Sequence, residues 1–567
     1  MSECKNMQAV ILAGGDALRF QEKAMGIYDK CLMAPVDVPL INYSLDNIRL
    51  MGIKRVVIVG RNELGDLRRH LGKRADDLDI TILPRSPKPG LAYALEVIEP
   101  YIGAHFVLLC GDEVYLGTNF DQMLPSFFKS GADGVCAVRQ GRTRATLQNY
   151  AVEVAGGRIV SLDEKPTNIS PTALMGCGLW ILPPEIFRCL GETPLHPRTG
   201  RLELVDVIGT LIKRGAALIP FMVKGSYINV NRREDFVSAR KIILDQMMAM
   251  GRLRPDLEPP PLEEIQLEPT VRCNLKCVMC PSKRRLHSSI DMSFDTFRMV
   301  VDQIPDLQIA RLHGIGESLL NPDFISFCEY LKGKDCFVAF NDNFTLITDE
   351  VAERLVVSGV NEIRVSCDAA TPDLYAMIRG RDALAGLKEG VRRIQMVKHA
   401  RQSPVPRLIM VSVIMRENLK QLAELVSLAS DLRLEEISFQ TQLNWGVSAG
   451  ALGFTIEEAE AAIAAARIKA RTSGMPMKSP RLRERRIPSC IWPWTACYIT
   501  ADAYVTPCCN LADPTVINFG TLSEHTVQEI WHSNQYAAFR RRMVSDDPYP
   551  ACATCPYYDG TFKVFFD

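Results

Sequence analysis

The chain has 567 residues, 47% hydrophobic and 23% charged, an ordinary globular composition too long for one core, so three or four domains are expected. Lys+Arg and Asp+Glu are both 66, and the zero net charge excludes a nucleic-acid binder that relies on a global positive field. No run of about 18 apolar residues occurs, so no membrane span is expected, and the 18 cysteines lie in a long chain without an export signal, which points to reduced thiols in a cytoplasmic protein.

In chain order, Ala9–Ala13 reads as a strand running into Gly14-Gly15. Asn42–Met51 reads as a helix stopped by Gly52, and Arg55–Gly60 reads as a buried strand. Phe106–Cys110 is another buried strand, ending in Gly111-Asp112. This alternation predicts an α/β fold, a mostly parallel, doubly wound sheet with helices on both faces. Ligands in such sheets bind beyond the carboxyl ends of the strands, where the Gly-rich turn and Asp112 both fall.

Several short motifs in this region form a set. They are Leu12-Ala13-Gly14-Gly15-Asp16-Ala17-Leu18-Arg19, Lys30, the loop Pro87-Lys88-Pro89-Gly90, Gly111-Asp112, Glu164-Lys165-Pro166 and Tyr227-Ile228-Asn229-Val230-Asn231. The set resembles the sugar-phosphate nucleotidyltransferases, whose opening reads L-A-G-G-x-G-T-R. The resemblance implies a Rossmann-like domain over residues 1–245. It also implies nucleotide binding by Leu12, Ala13, Gly14, Gly15 and Gly90, and catalytic roles for Arg19, Lys30 and Lys165, whose charges oppose the one that builds as pyrophosphate departs. Glu164, Lys165 and Gly176 would hold a sugar phosphate, and Asp112 with Asn229 would hold Mg2+, with Asn231 an alternative register. The implied partners are an NTP and a phosphorylated small molecule. Ala17-Leu18 replaces the family's G-T, Asp29 replaces a proline and Asn229 an aspartate, and the nucleobase stays open.

Residues 246–262 contain Pro259-Pro260-Pro261, an extended, semi-rigid linker. The next strand, Glu264–Glu268, precedes Cys273-Asn-Leu-Lys-Cys277-Val-Met-Cys280, a C-x3-C-x2-C spacing. Three thiolates on one loop can hold three irons of a cubane and leave the fourth open. Further strands read at 307–312, 336–340, 362–366, 407–415 and 436–439, and a helix at 349–358 is capped by Thr348 and ended by Gly359. Gly314-Ile315-Gly316-Glu317, Asp342-Asn343-Phe344, Ser366-Cys367-Asp368 and Tyr375–Arg379 follow these strands. Together they resemble the radical S-adenosylmethionine (SAM) superfamily. The resemblance implies a partial (β/α)6 barrel over residues 263–445, with a [4Fe-4S] cluster on Cys273, Cys277 and Cys280. It implies SAM held by Gly316, Glu317, Ser366 and Arg379 and cleaved to a 5'-deoxyadenosyl radical, with a reduced flavodoxin or ferredoxin-type electron donor.

Residues 446–567 open with an alanine-rich helix at 455–469 and then change character, with Cys490, Cys497, Cys508, Cys509, Cys552 and Cys555. This pattern resembles the SPASM/Twitch extension of radical SAM enzymes. It implies a small C-terminal iron-sulfur domain with one auxiliary [4Fe-4S] cluster on Cys490, Cys508, Cys552 and Cys555. Cys497 and Cys509 compete for those roles, and spacing alone does not separate iron from zinc. The whole reads as a bifunctional enzyme, with Mg2+-dependent nucleotidyl transfer on one side and radical dehydrogenation or epimerisation of a related small molecule on the other. The alternative is a peptide- or protein-modifying radical enzyme whose N-terminal domain binds nucleotide for regulation.

Overall fold

The computed structural model describes residues 7–14, 29–61, 64–72, 77–140, 149–168, 170, 172–281, 290–443, 454–482 and 490–561. The chain divides into two compact units, Met1–Ile243 and Leu244–Asp567.

Strands of the first unit are β1 (Gln8–Leu12), β2 (Arg55–Gly60), β3 (Asp79–Pro84), β4 (Phe106–Cys110), β5 (Glu113–Leu116), β6 (Gly134–Arg139), β7 (Tyr150–Ala155), β8 (Arg158–Glu164), β9 (Leu174–Leu182), β10 (Leu218–Met222) and β11 (Ser226–Asn229). Among the described residues the main sheet runs β10-β6-β9-β4-β1-β2-β3, with β7 and β8 attached through β9. β1 is parallel to β2 and β4, whereas β9 is antiparallel to β4 and β6. The central strands are apolar along their length because both faces are covered. Ile11 and Ile58 enter one core, while their neighbours Val10 and Val57 enter the other. The helix Leu40–Leu50 begins two residues before the expected start, since Leu40 and Ile41 bury their side chains, and it ends before Gly52 at φ +77°. β5 and β11 form an antiparallel ribbon that sets Glu113 opposite Asn229.

The second unit contains β12 (Glu264–Leu267), β13 (Ile309–Leu312), β14 (Phe337–Asp342), β15 (Glu362–Ser366), β16 (Arg407–Ile414), β17 (Glu436–Thr441), β18 (Met477–Lys478), β19 (Ala496–Ile499) and β20 (Val505–Thr506). Among the described residues the sheet runs β18 back to β12 in chain order, then β19 and β20. β12 to β17 pair parallel, with helices between them, as a partial (β/α)6 barrel requires. Thr348 caps the helix Asp349–Val357 by accepting from Val351 N, and Gly359 follows at φ +72°.

The C-terminal region joins the same sheet: β19 lies parallel to β12. All four β12 residues are buried, and its two edges are paired by β13 and β19. The Trp531 indole N–H donates to Pro260 O at 3.0 Å, and the Arg540 side chain donates to Pro493 O at 2.7 Å and Trp531 O at 2.8 Å. No described helix is long and apolar enough to cross a membrane.

Candidate active sites

In the first unit, register builds the site. Leu12 stands opposite Cys110, so the chain leaving β1 meets the turn leaving β4, and Gly111 N donates to Leu12 O at 2.9 Å. A Cβ on Gly111 would stand 3.2 Å from that oxygen. Next comes Asp112, whose Oδ2 accepts from Lys30 Nζ at 2.6 Å, and the same ammonium donates to Asn231 Oδ1 at 3.3 Å. Val230 N donates to Asp112 O at 3.0 Å and ties the two segments together. A carboxylate and an amide oxygen suit a hard cation such as Mg2+, and the ammonium beside them suits phosphate. Asn229 instead donates to Asn149 Oδ1 at 3.0 Å, and its own Oδ1 is buried without a partner.

Around this group, Ala13 N donates to Val59 O at 2.8 Å and Gly14 O accepts from Arg85 Nη1 at 2.9 Å. Gly90 sits at φ +136°, and a Cβ there would be 2.5 Å from Leu202 O, so only glycine fits. At the end of β8, Glu164 lies 3.7 Å from Lys165 Nζ, and burial pushes the Glu164 carboxyl up to about 7 against the pull of that lysine. Lys165 takes φ +47° and donates its N–H to Asn149 O at 2.8 Å. Gly176 lies under the Tyr150 ring, which any Cβ there would strike. Gly15 and Arg19 lie outside the described residues.

In the second unit, the loop after β12 carries Cys273, Cys277 and Cys280 as half-buried free thiols. Lys276 N donates to Arg379 O at 3.2 Å and Val278 N to Ile378 O at 2.9 Å, which fixes the loop against the helix Pro372–Arg379. The Arg379 guanidinium lies 3.8 Å from Cys277 Sγ and 2.6 Å from Asp368 Oδ2. Glu317 and Asp342 are neighbouring buried carboxyls. Asn343 N donates to Glu317 Oε2 at 3.0 Å and Phe344 N to Asp342 Oδ1 at 2.6 Å, leaving Glu317 Oε1 and Asp342 Oδ2 unpartnered. Burial raises both carboxyls, and the Asp342 charge raises Glu317 further. Such a pair shares a proton or accepts a cationic amine between its oxygens. Gly316 packs so tightly on Thr270 O that a side chain is excluded.

These groups line one cavity of about 320 Å³, together with Ser366. The same cavity is lined by Cys490, Cys508, Cys509, Cys552 and Cys555. Cys497 is buried on β19 and does not reach it, while the Gln266 side chain hydrogen-bonds Cys509. Burial, first among the causes, pushes the thiols of Cys273, Cys277, Cys490, Cys508, Cys552 and Cys555 above their ordinary values, so iron binding must displace their protons. Among the described residues no three Cys, His, Asp or Glu side chains converge as ligands of a single ion. In a cubane each thiolate binds a different iron, so two sets of free thiols spread around one cavity fit clusters. Glu113, Arg311, His313 and Arg364 escape sequence reasoning. The available signal was that Arg311 interrupts the apolar strand Ile309–Leu312 and His313 directly follows its end.

Family models match three segments: nucleotidyl transferase at residues 8–246, the radical SAM superfamily at 267–429 and the SPASM iron-sulfur cluster-binding domain at 490–556. The tungsten-containing aldehyde ferredoxin oxidoreductase cofactor-modifying protein of Pyrococcus furiosus is 25% identical over 323 residues, 53% of this chain and 88% of that protein. The glucose-1-phosphate thymidylyltransferase of Streptomyces antibioticus is 28% identical over 255 residues, 42% of this chain and 67% of that protein. A crystal structure of UDP-glucose pyrophosphorylase with UDP-glucose is 20% identical and covers 42% of this chain and 99% of that one, with a TM-score of 0.38. The chain is thus an enzyme that joins a nucleotidyltransferase domain, with its NTP, sugar phosphate and Mg2+, to a radical SAM domain and a SPASM iron-sulfur region, with their SAM and [4Fe-4S] clusters.

Proposed function

We propose that the first unit transfers a nucleotidyl group from an NTP to the phosphate of a sugar, cyclitol or similar alcohol and releases pyrophosphate. The second unit dehydrogenates or epimerises a related small molecule. The observation that carries the radical half is the single cavity lined by both the Cys273–Cys280 loop and the C-terminal cysteines, since a substrate there meets both. In the first unit Lys30 neutralises phosphate charge, Asp112 and an asparagine oxygen hold Mg2+, and Glu164 and Lys165 engage the sugar phosphate. In the second, Glu317 and Asp342 hold the amino group of SAM, Arg379 stands beside Cys277, and Cys490, Cys508, Cys552 and Cys555 ligate the auxiliary cluster. When bound, the reduced three-thiolate cluster supplies the electron that cleaves SAM, drawn from a flavodoxin or ferredoxin-type donor.

Two variants test the reading. Cys277→Ala is expected to abolish 5'-deoxyadenosine formation and leave pyrophosphate release intact. Asp112→Ala is expected to cut pyrophosphate release by about 10²-fold or more and leave SAM cleavage intact. Loss of both activities in either variant contradicts separable sites. If the unaltered protein releases no pyrophosphate with any NTP and sugar phosphate, the first unit is a nucleotide-sensing module instead.

A further inference from the structure

We infer that the radical unit's substrate carries a phosphoryl group, held at the auxiliary end of the cavity by Arg364 and its polar neighbours, with hydroxyls engaged by His313, Asn341 and Thr441. The inference rests on the radical reading above and names its substrate class.

The interior of a barrel is ordinarily packed with branched apolar side chains. Here Arg311 on β13, His313 just after it, Asn341 on β14, Arg364 on β15 and Thr441 at the end of β17 line the cavity. His313 Nδ1, Asn341 Oδ1 and Thr441 Oγ1 are buried and take no hydrogen-bond partner, and Thr441 is only 9% exposed. A buried polar atom left unmet is costly, so three lining one cavity mark a place where hydroxyls are met. Arg364 donates Nε to Glu362 at 2.9 Å, and among the described residues its terminal nitrogens take no partner. Glu362 therefore orients the guanidinium while its outer edge, the planar fork that suits phosphate, is left for a ligand. The Arg311 Nε donates to Glu264 at 2.6 Å.

Two further observations place the site. Cys509, Cys555, Arg364 and Arg311 all act on the Tyr557 hydroxyl, so the two arginines lie near the auxiliary cysteines. His313 is held neutral, by burial first and then by the charges of Arg364 and Arg311, so it can donate to or accept from a hydroxyl without adding charge. A phosphoryl group could arrive as a phosphomonoester or as the diphosphate of a nucleotide-activated sugar.

The test is EPR of the reduced, reconstituted full-length protein with SAM bound, which reports on ligands beside the cluster. The probes are inorganic phosphate, glucose, glucose 1-phosphate, glucose 6-phosphate, inositol 1-phosphate and UDP-glucose. A phosphorylated probe should shift the spectrum, and Arg364→Met should raise the half-effect concentration tenfold or more with iron content and the SAM response unchanged. Thr441→Val should raise it several-fold, and it carries the test if Arg364→Met loses iron. A shift with UDP-glucose alone also supports the site and assigns the anion to the activated sugar. No shift with any phosphorylated probe, an equal effect of glucose, an adventitious ion only (inorganic phosphate acting as well as the esters), or unchanged response in both variants overturns it. Absence of any SAM-dependent spectral change would instead remove the radical reading itself.

Discussion

Glu113 stands one residue beyond Asp112, and its carboxylate accepts from Tyr227 Oη at 2.9 Å, from Gly178 N at 2.8 Å and from the Tyr115 hydroxyl. Burial outweighs these donors and, helped by the Asp112 charge, lifts the carboxyl from 4.5 to about 7. The folded chain therefore binds a proton that the unfolded chain releases between those values. This group's contribution to stability is complete below pH 4.5 and is lost as pH rises through 7. Its full size is about 3 kcal/mol. Glu113→Gln removes the titration, so the melting temperature of the variant relative to the unaltered protein should rise steadily from pH 5 to pH 8; a constant offset would show that Glu113 stays ionised throughout. Asp112 and Lys30 were legible in the sequence because they sit in motifs. Glu113 was not, because its partner Tyr227 lies 114 residues away and only folding reveals the burial.

Strand centres were legible and strand ends less so. Glu362–Ser366 reads with its observed bounds, since Ile363 and Val365 alternate with polar residues and Gly359 breaks the chain just before it. β14 continues to Asp342, past the apolar run 336–340, because Asn341 and Asp342 face a polar cavity where the strand stays regular. β19 was missed. Ala496-Cys497-Tyr498-Ile499 is apolar enough for a strand, but its partner β12 is remote in sequence and the neighbouring cysteines dominate the pattern. Its pairing has a consequence for truncation. A chain ending at residue 482 would leave the edge of β12 open, with its backbone N–H and C=O groups unpaired. That truncation should be insoluble or aggregate, as read by soluble yield and light scattering, whereas the full chain stays dispersed. A soluble, monomeric truncation would show that β19 is dispensable to the barrel.

For the molecule as a whole, composition separates residues 263–445 from 446–567, yet the described structure gathers 244–567 into one unit through the β12–β19 ladder and the Trp531–Pro260 bond. Composition cannot register such a join, because a ladder is a relation between distant segments. The cofactor content follows from the two cysteine sets. Reconstituted protein should hold about eight irons per chain, two four-iron clusters. Replacing Cys273, Cys277 and Cys280 by alanine should leave about four, and replacing Cys490, Cys508, Cys552 and Cys555 should leave about four of the other kind, distinguishable because only the first kind responds spectroscopically to SAM. Four irons with one zinc in the unaltered protein would make the C-terminal set a structural metal site.

The β12–β19 ladder also sets a clock on biosynthesis. Glu268, just beyond β12, accepts a hydrogen bond from Ala501, 233 residues later in the chain. At about 5–20 residues per second, β12 leaves the ribosome roughly ten to fifty seconds before its partner exists. For that interval β12 pairs only with β13, and the Cys273–Cys280 loop rests on the Pro372–Arg379 helix without the second strand neighbour at its base. Loading of the first cluster is therefore expected to be fuller in chains that have already made β19 than in ribosome-held chains stopped before it.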